Sequence, residues 1–176
     1  MALVMIGGGA RSGKSRYAEV RALQLPGDKA YVATAQAFDD EMRERIAAHR
    51  QARDPSFQLY EEPREVPSLL KRLAEPVVVV DCLTLWLSNL LLADLSDSAI
   101  EVAFDALEDA LARPTGTTLL VTNEVGLGIV PTSALGRRFR DHAGRLHQRL
   151  ADRADEVILA ALGLRLRLKP GPVEAV

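Results

Sequence analysis

Residues 8–15 read Gly8-Gly9-Ala10-Arg11-Ser12-Gly13-Lys14-Ser15, which satisfies G-x-x-x-x-G-K-[ST] at every fixed position. This is the pattern of a phosphate-binding loop, and each fixed residue has a physical job. Gly8 and Gly13 allow backbone angles closed to other residues, so successive N–H groups can turn onto a phosphate. Lys14 adds a point charge near the β- and γ-phosphates, and the Ser15 hydroxyl can ligate Mg²⁺. The flanks agree with the motif. Ala2 to Ile6 is a short apolar run suited to a buried strand, and Ser15 to Gln24 holds helix formers with no Gly or Pro. Strand, glycine-rich turn and helix N-terminus together make an anion site. The loop predicts a nucleotide-binding protein.

Bulk properties narrow the class. The chain has 176 residues, enough for one domain with a real core, and its 48% hydrophobic and 26% charged content is that of a globular protein. We expect a single phosphate-loop α/β domain over residues 1–170 and a short tail over 171–176. A net charge of −2 and a pI near 5.9 give no global pull toward nucleic acid or anionic membrane. No apolar run reaches the ~18 residues of a membrane span, and no basic segment followed by an apolar h-region is present. The lone cysteine, Cys82, cannot form an internal disulfide. A cytoplasmic protein is the expectation.

Outward from the loop, apolar runs alternate with helical segments. Strands are predicted at Lys29–Thr34, Phe57–Tyr60, Val77–Val80, Thr117–Thr122 and Glu156–Ala161. The valine run, ending in Asp81, is the strongest of these. Leu164, Leu166 and Leu168 alternate with Arg165, Arg167 and Lys169, the pattern of a half-exposed edge strand. Helices are predicted over 39–53, 68–74, 83–93, 99–113 and 135–153. Asp39, Asp40 and Glu41 suit the first turn of the 39–53 helix, and Asp54-Pro55 stops it. This order predicts an α/β fold of the phosphate-loop NTPase type: a mostly parallel sheet, helices on both faces and a C-terminal edge strand. Ligands in such sheets collect at the carboxyl ends of the strands. The phosphate loop, Thr34, Asp81 and Asn123-Glu124 all fall there.

Several side chains invite a chemical reading. Asp81 ends an apolar strand, as the Mg²⁺-orienting carboxylate does in this class; the alternative is an Asp that caps the next helix. Cys82 reads as a small buried hydrophobe rather than a nucleophile. His142 and His147, five apart, fall on different faces of one helix, which argues against a metal pair. The same helix carries Arg137, Arg138, Arg140, Arg145, Arg149 and Arg153 beside an apolar stripe of Leu135, Phe139, Leu146 and Leu150. A solvated basic face is the plainer reading, and phosphate contact by one or two of these arginines the sharper one. His49 shares a helical stripe with Met42 and Ile46, so periodicity favours a satisfied, partly buried histidine. Its neighbours Arg45, Arg50 and Arg53 pull the other way, since guanidinium groups around an imidazole suit an oligophosphate.

Together the motifs resemble one family, the bifunctional adenosylcobinamide kinase/adenosylcobinamide-phosphate guanylyltransferases of cobalamin biosynthesis. The resemblance runs through GGARSGKS at Gly8–Ser15, YVAT at Tyr31–Thr34, DDEMRERIAAHR at Asp39–Arg50 and TNEVGLGIVP at Thr122–Pro131. FRDHAGRLHQRLA at Phe139–Ala151 and ADEVILAALGLRLRLK at Ala154–Lys169 complete it. The phosphate loop alone says only nucleotide. NEVGxGxVP and DDEMxxRIxxH, in this order and spacing, discriminate far better.

The resemblance implies a homotrimer that uses ATP or GTP with Mg²⁺. It implies phosphorylation of adenosylcobinamide, then attachment of GMP from GTP through a guanylylated histidine to give adenosylcobinamide-GDP. His49 matches that histidine. Family members often show two adjacent histidines, and here Ala48 takes the first place. The implied nucleotide contacts are Gly8, Gly9, Ala10, Arg11, Ser12, Gly13, Lys14 and Ser15 of the loop. Ala33, Thr34, Ala35, Arg50, Gln51, Ala52 and Arg53 follow, with a carboxylate at Glu61, for which Glu62 is the alternative. Asp81 stands where the family often has Glu. The implied partners are a corrinoid (adenosylcobinamide and its phosphate) and a nucleoside triphosphate, with no nucleic acid and no membrane span.

The residue chemistry agrees. A neutral imidazole is a competent nucleophile. Its attack at the α-phosphorus expels pyrophosphate, whose charge calls for Lys14, Mg²⁺ and nearby arginines. Glu124 is a further candidate, either as a catalytic or metal-orienting group or as a turn cap. Two rival readings stand beside this one: a plain small-molecule kinase with a structural His49, and a GTP-dependent switch. For the switch, Asp141-His142-Ala143-Gly144 spells D-x-x-G, but within a helical pattern. The chain has no N-K-x-D; Thr122-Asn123-Glu124-Val125 is the nearest string.

Overall fold

The central apolar runs become strands because both sides of each are covered. Val77 to Val80 are at most 2% exposed, and β-branched side chains of this kind pack well on a pleated surface. A computed structural model of the protein describes residues 2–37, 39–112 and 116–171. Its strands are β1 (Ala2–Gly8), β2 (Lys29–Ala33), β3 (Phe57–Glu61), β4 (Val77–Asp81), β5 (Thr117–Asn123), β6 (Glu156–Ala161) and β7 (Leu164–Lys169). They form one sheet in the order β3-β2-β4-β5-β1-β6-β7. All neighbours are parallel except β6 and β7, which pair antiparallel. The alternating Leu/Arg segment is therefore the edge strand its pattern predicts.

The helices are α1 (Lys14–Leu23), α2 (Asp40–Ala52), α3 (Val66–Arg72), α4 (Leu83–Leu92), α5 (Asp97–Leu111) and α6 (Ala134–Arg153). One face of the sheet packs against α3, α4, α5 and α6 through residues such as Leu70, Trp86, Phe104 and Leu146. The other face packs against α1, through Ala18 and Ala22. Trp86 is fully buried, and its Nε1 donates to the Arg64 carbonyl at 2.8 Å, so its polar handle is satisfied. No described residue of α2 belongs to either core. Two helix starts fall earlier than the periodicity suggests. α3 opens with Pro67 in its first turn, a position that proline suits. α5 is capped by Ser96, whose Oγ accepts from the Ala99 N–H at 3.2 Å. The expected end of α5 at Arg113, and the expected tail apart from Gly171, lie outside the described residues.

α6 differs from its expected pattern in two ways. Leu135 is 49% exposed, and the buried stripe is His142, Ala143, Leu146 and Leu150, with Phe139 partly buried at its edge. Leu135 borders an open groove beside Leu92 of α4 instead of the core. Nor are the arginines simply a solvated basic face: Arg137 and Arg145 are exposed, but three others face acids. Arg149 donates to Glu101 at 3.0 Å and Asp105 at 2.5 Å, and also pairs with Glu108. Arg153 lies 2.5 Å from Glu108, and Arg138 lies 2.6 Å from Asp97. His142 Nε2 is 2.9 Å from the same Asp97 oxygen. His142 and Arg138 together hold the Asp97 carboxyl down at about 2. α6 is thus laced to the acidic side of α5, a partnership that periodicity within one helix cannot reveal.

Candidate active site

β1 delivers the chain to the phosphate loop, and two glycines shape it for different reasons. A Cβ on Gly8 would lie 2.4 Å from the Ala160 carbonyl oxygen of β6, so close approach excludes any side chain there. Gly13 sits at φ 90°, in the left-handed region, as the N-cap of α1. No side chain caps this helix. Its first-turn N–H groups, at the positive end of the helix dipole, therefore remain for an anion. Lys14 is 7% exposed, and its Nζ donates to the Gly9 carbonyl at 2.9 Å, folding the ammonium over the loop.

The loop borders a cavity of about 680 Å³ at the carboxyl ends of β1, β2, β3, β4 and β5. Five cationic side chains line it (Arg11, Lys14, Arg16, Arg50 and Arg53) against three carboxylates, Glu61, Asp81 and Glu124. Among the described residues, Arg11 and Arg16 pair with no carboxylate. Ser12 Oγ and Arg53 Nε are buried without a hydrogen-bond partner. A positive cleft with orphaned polar atoms suits a polyphosphate.

Asp81 is not a helix cap: Cys82 is the N-cap of α4, without a side-chain bond. Asp81 Oδ2 instead accepts from the Tyr31 hydroxyl at 2.7 Å. Burial and the neighbouring Asp81 charge push the Tyr31 phenol well above its usual range, so it stays a donor. The Arg53 guanidinium lies over the Tyr31 ring, 3.7 Å from its centroid. Cys82 is buried, and that burial raises its thiol pKa, which suits an inert residue.

Thr34 departs from its expected place. It is fully buried and does not line the cavity, whereas Ala33 and Ala35 do. Its Oγ1 donates to the Cys82 carbonyl at 2.7 Å and accepts from the Cys82 N–H at 2.8 Å, pinning the end of β2 to the end of β4. Gly8, buried, and Gly9, exposed, do not line the cavity, which begins at Ala10. Gln51 is exposed away from the cavity and Ala52 closes α2. Glu61 lines the cavity, with Arg50 Nη1 3.6 Å from its carboxylate. Glu62 turns elsewhere, accepting from the Arg64 and Glu65 N–H groups at 3.0 and 2.8 Å before α3.

His49 overturns the periodicity argument. It is exposed in the last turn of α2 and lines the cavity with Met42 and Ile46. The stripe is real, but α2 rests over the crevice and not on the sheet, so its inward face meets open space. Glu124 also lines the cavity, yet its Oε1 accepts from the Gly126 N–H at 2.5 Å, which is the turn-cap geometry. Its Oε2 is 3.9 Å from His147, whose pKa burial lowers and whose Nε2 is 2.7 Å from Thr122 Oγ1. Of α6, only Phe139 reaches the cavity; none of its arginines does. Asp141 and Gly144 lie within α6, away from the crevice. Residues the pattern missed are Arg16, Tyr31, Thr84, Leu85 and Ser88. Only Tyr31 left a signal, as a lone phenol in an otherwise aliphatic buried strand.

Comparison with known proteins follows the same line. A family model described as cobinamide kinase / cobinamide phosphate guanyltransferase matches residues 4–168. A Pseudomonas aeruginosa protein, bifunctional adenosylcobalamin biosynthesis protein CobP, is 45% identical over 96% of this chain and 98% of its own length. The bifunctional adenosylcobalamin biosynthesis proteins CobU of Escherichia coli and Salmonella typhimurium are 39% and 38% identical, each over 95% of this chain and 99% of their own. Among solved structures, the RadB recombinase superposes with a TM-score of 0.52 at 18% identity, over 90% of this chain and 73% of that one. That likeness concerns the fold alone, a phosphate-loop α/β sheet.

Proposed function

The chain belongs to the cobinamide kinase / cobinamide phosphate guanyltransferase family, and from that premise we propose how one crevice serves both reactions. Its place is in adenosylcobalamin biosynthesis. The observation that carries the reading is His49, exposed in the same cavity that the phosphate loop borders.

In the kinase step, the polyphosphate of ATP or GTP lies against the α1 N-terminus and Lys14. The adenosylcobinamide hydroxyl attacks the γ-phosphorus and the nucleoside diphosphate leaves. Such transfer needs positioning and charge rather than a protein nucleophile. Ser15 and Asp81 both line the cavity and offer a hydroxyl and a carboxylate, an all-oxygen set that suits Mg²⁺. These two would hold the ion, which supplies positive charge against the polyphosphate when bound. Among the described residues no group of three or more His, Cys, Asp or Glu is placed to hold a metal, so further ligands would come from substrate and water.

In the guanylyl step, a ring nitrogen of His49 attacks the α-phosphorus of GTP. The bond to the bridging oxygen breaks and pyrophosphate leaves. A phosphate oxygen of adenosylcobinamide phosphate then attacks the same phosphorus, the P–N bond breaks, and His49 is restored with adenosylcobinamide-GDP released. Arg50 and Arg53, on the same helix end, offset the charge that develops. The covalent route splits one displacement into two easier ones. Ala33, Ala35 and Glu61 contribute the remaining nucleotide contacts. Assembly as a homotrimer and a cytoplasmic location belong to the same proposal; no described helix is long and apolar enough to cross a membrane.

Incubation with α-labelled GTP and Mg²⁺, followed by peptide mapping, tests the reading. We expect label on the peptide spanning Asp39 to Arg53, stable in alkali and lost in mild acid. A protein that phosphorylates cobinamide yet takes up no label would be a kinase alone.

A further inference from the structure

Resting on that reading, we propose that Tyr31 is a positioning residue that sets two groups of the crevice at once. Its hydroxyl fixes the Asp81 carboxylate, and its ring fixes the Arg53 guanidinium. Tyr31 sits in the middle of β2 at 1% exposure, and its ring meets Phe57 edge-on, with centroids 5.7 Å apart and planes at 82°. A ring so enclosed has one orientation. From it the hydroxyl reaches Asp81 Oδ2 at 2.7 Å. An aspartate at a strand end otherwise has free rotation about its side-chain bonds, and this bond removes that freedom.

The ring's other role concerns α2. That helix adds nothing to either core among the described residues, so its C-terminal end needs other attachments. Three are present: Arg50 facing Glu61 at 3.6 Å, Arg53 lying 3.7 Å over the Tyr31 ring, and the attraction of Arg53 and His49 to the half-buried Glu19 carboxylate of α1. The first pair is exposed and loose, with side chains 65% and 57% accessible. The second is desolvated, because Arg53 Nε is buried. His49 lies one turn before Arg53, so the Tyr31 ring seats the end of the helix that carries the nucleophile. One phenol thereby ties Asp81, shared by both reactions, to the helix used by the guanylyl reaction alone.

Two substitutions separate the two roles. Tyr31→Phe keeps the ring and deletes the hydroxyl; Tyr31→Leu deletes both. Three readings are taken: initial rate of GMP labelling, rate of cobinamide phosphorylation, and calorimetric affinity for a non-hydrolysable GTP analogue across a Mg²⁺ titration. For Tyr31→Phe both rates should fall about tenfold together, and the Mg²⁺ needed for half-maximal analogue binding should rise several-fold. In an Asp81→Asn background the same change should cost less than about twofold, since its target is already altered. Tyr31→Leu should lower labelling at least about fivefold more than phosphorylation. The proposal fails if Tyr31→Phe leaves the rates and the Mg²⁺ titration within about twofold of wild type. It also fails if the effects of Tyr31→Phe and Asp81→Asn multiply independently, or if Tyr31→Leu lowers both rates alike. Should the Leu variant not fold, the Phe variant and its double-mutant cycle decide alone. If the wild-type protein takes no label, the guanylyl reading fails separately, while the calorimetric arm still tests Tyr31.

Discussion

Between α5 and α6, Arg138, His142, Arg149 and Arg153 face Asp97, Glu101, Asp105 and Glu108. At the carboxyl ends of the strands, Arg11, Arg16, Arg50, Arg53 and His49 surround an open cavity holding fewer acids than cations. Both regions are rich in the same residue types, and sequence composition alone cannot rank them. Pairing separates them. In the helix seam each of these basic groups has a carboxylate at hand, so charge is balanced within the fold, although Glu101 Oε1 and His142 Nδ1 are buried there without a hydrogen-bond partner. In the crevice the cations exceed the carboxylates, five Lys and Arg side chains against three acids. A fold tolerates such surplus charge where an anion is to be bound. Changes in the crevice should therefore cost activity and little stability, and changes in the seam the reverse.

The largest effect is expected at Lys14. Lys14→Ala removes a charge-assisted phosphate contact worth about 2–4 kcal/mol in the transition state. Both kinase and guanylyl rates should drop roughly thirty- to nine-hundred-fold. The melting temperature should hold or rise slightly, because a cation leaves a cationic site. Rates within about threefold of wild type would mean that the loop is not the active site.

Arg149→Met is the opposite case. It strands Glu108, whose side chain is only 7% exposed, although Arg153 stays beside it. A loss of about 1–3 kcal/mol in urea unfolding is expected, between exposed and fully buried pairs, with both rates within about twofold. A loss of activity without loss of stability would erase the distinction between the two regions.

Glu61 and Glu62 sharpen it at single-residue scale. Glu61→Gln should raise the KM for GTP several-fold. Glu62→Ala should leave KM alone and cost about 0.5–1 kcal/mol of stability, since it removes the acceptor for two backbone N–H groups before α3. Steady-state kinetics and thermal melts on the two variants would expose a reversed assignment.

The smallest effect is a pH dependence at His147. Burial lowers its pKa below the ordinary 6.5. The unfolded chain then binds the proton more readily, so this histidine's contribution is full above pH 6.5 and is lost as pH falls through its folded value. Wild-type protein should lose more melting temperature than His147→Gln between neutral and mildly acidic pH. Equal slopes would show that His147 takes no part.

Features written locally in the chain were legible before the fold was known. The loop motif, the valine run ending in Asp81 and the alternation of β7 each depend on a few adjacent residues. What stayed hidden depends on a neighbour distant in sequence. The α6 arginines could not be read without α5 lying across from them. Thr34 looked like a ligand contact because it ends a strand, yet the backbone of Cys82 draws its hydroxyl inward. Met42, Ile46 and His49 showed a true stripe, but periodicity cannot say whether a helix faces a core or a cavity. The family resemblance pointed to His49, and the cavity does meet that side chain, where periodicity favoured a partly buried one.

Whether His49 carries GMP is decided by a paired labelling experiment. Wild type and His49→Ala are incubated with α-labelled GTP and Mg²⁺, and cobinamide phosphorylation is assayed in parallel on the same preparations. We expect acid-labile, alkali-stable label on the wild type, none on the variant, and phosphorylation substantially retained in both. Label that persists on the Ala variant, or that maps to His142 or His147, would contradict it.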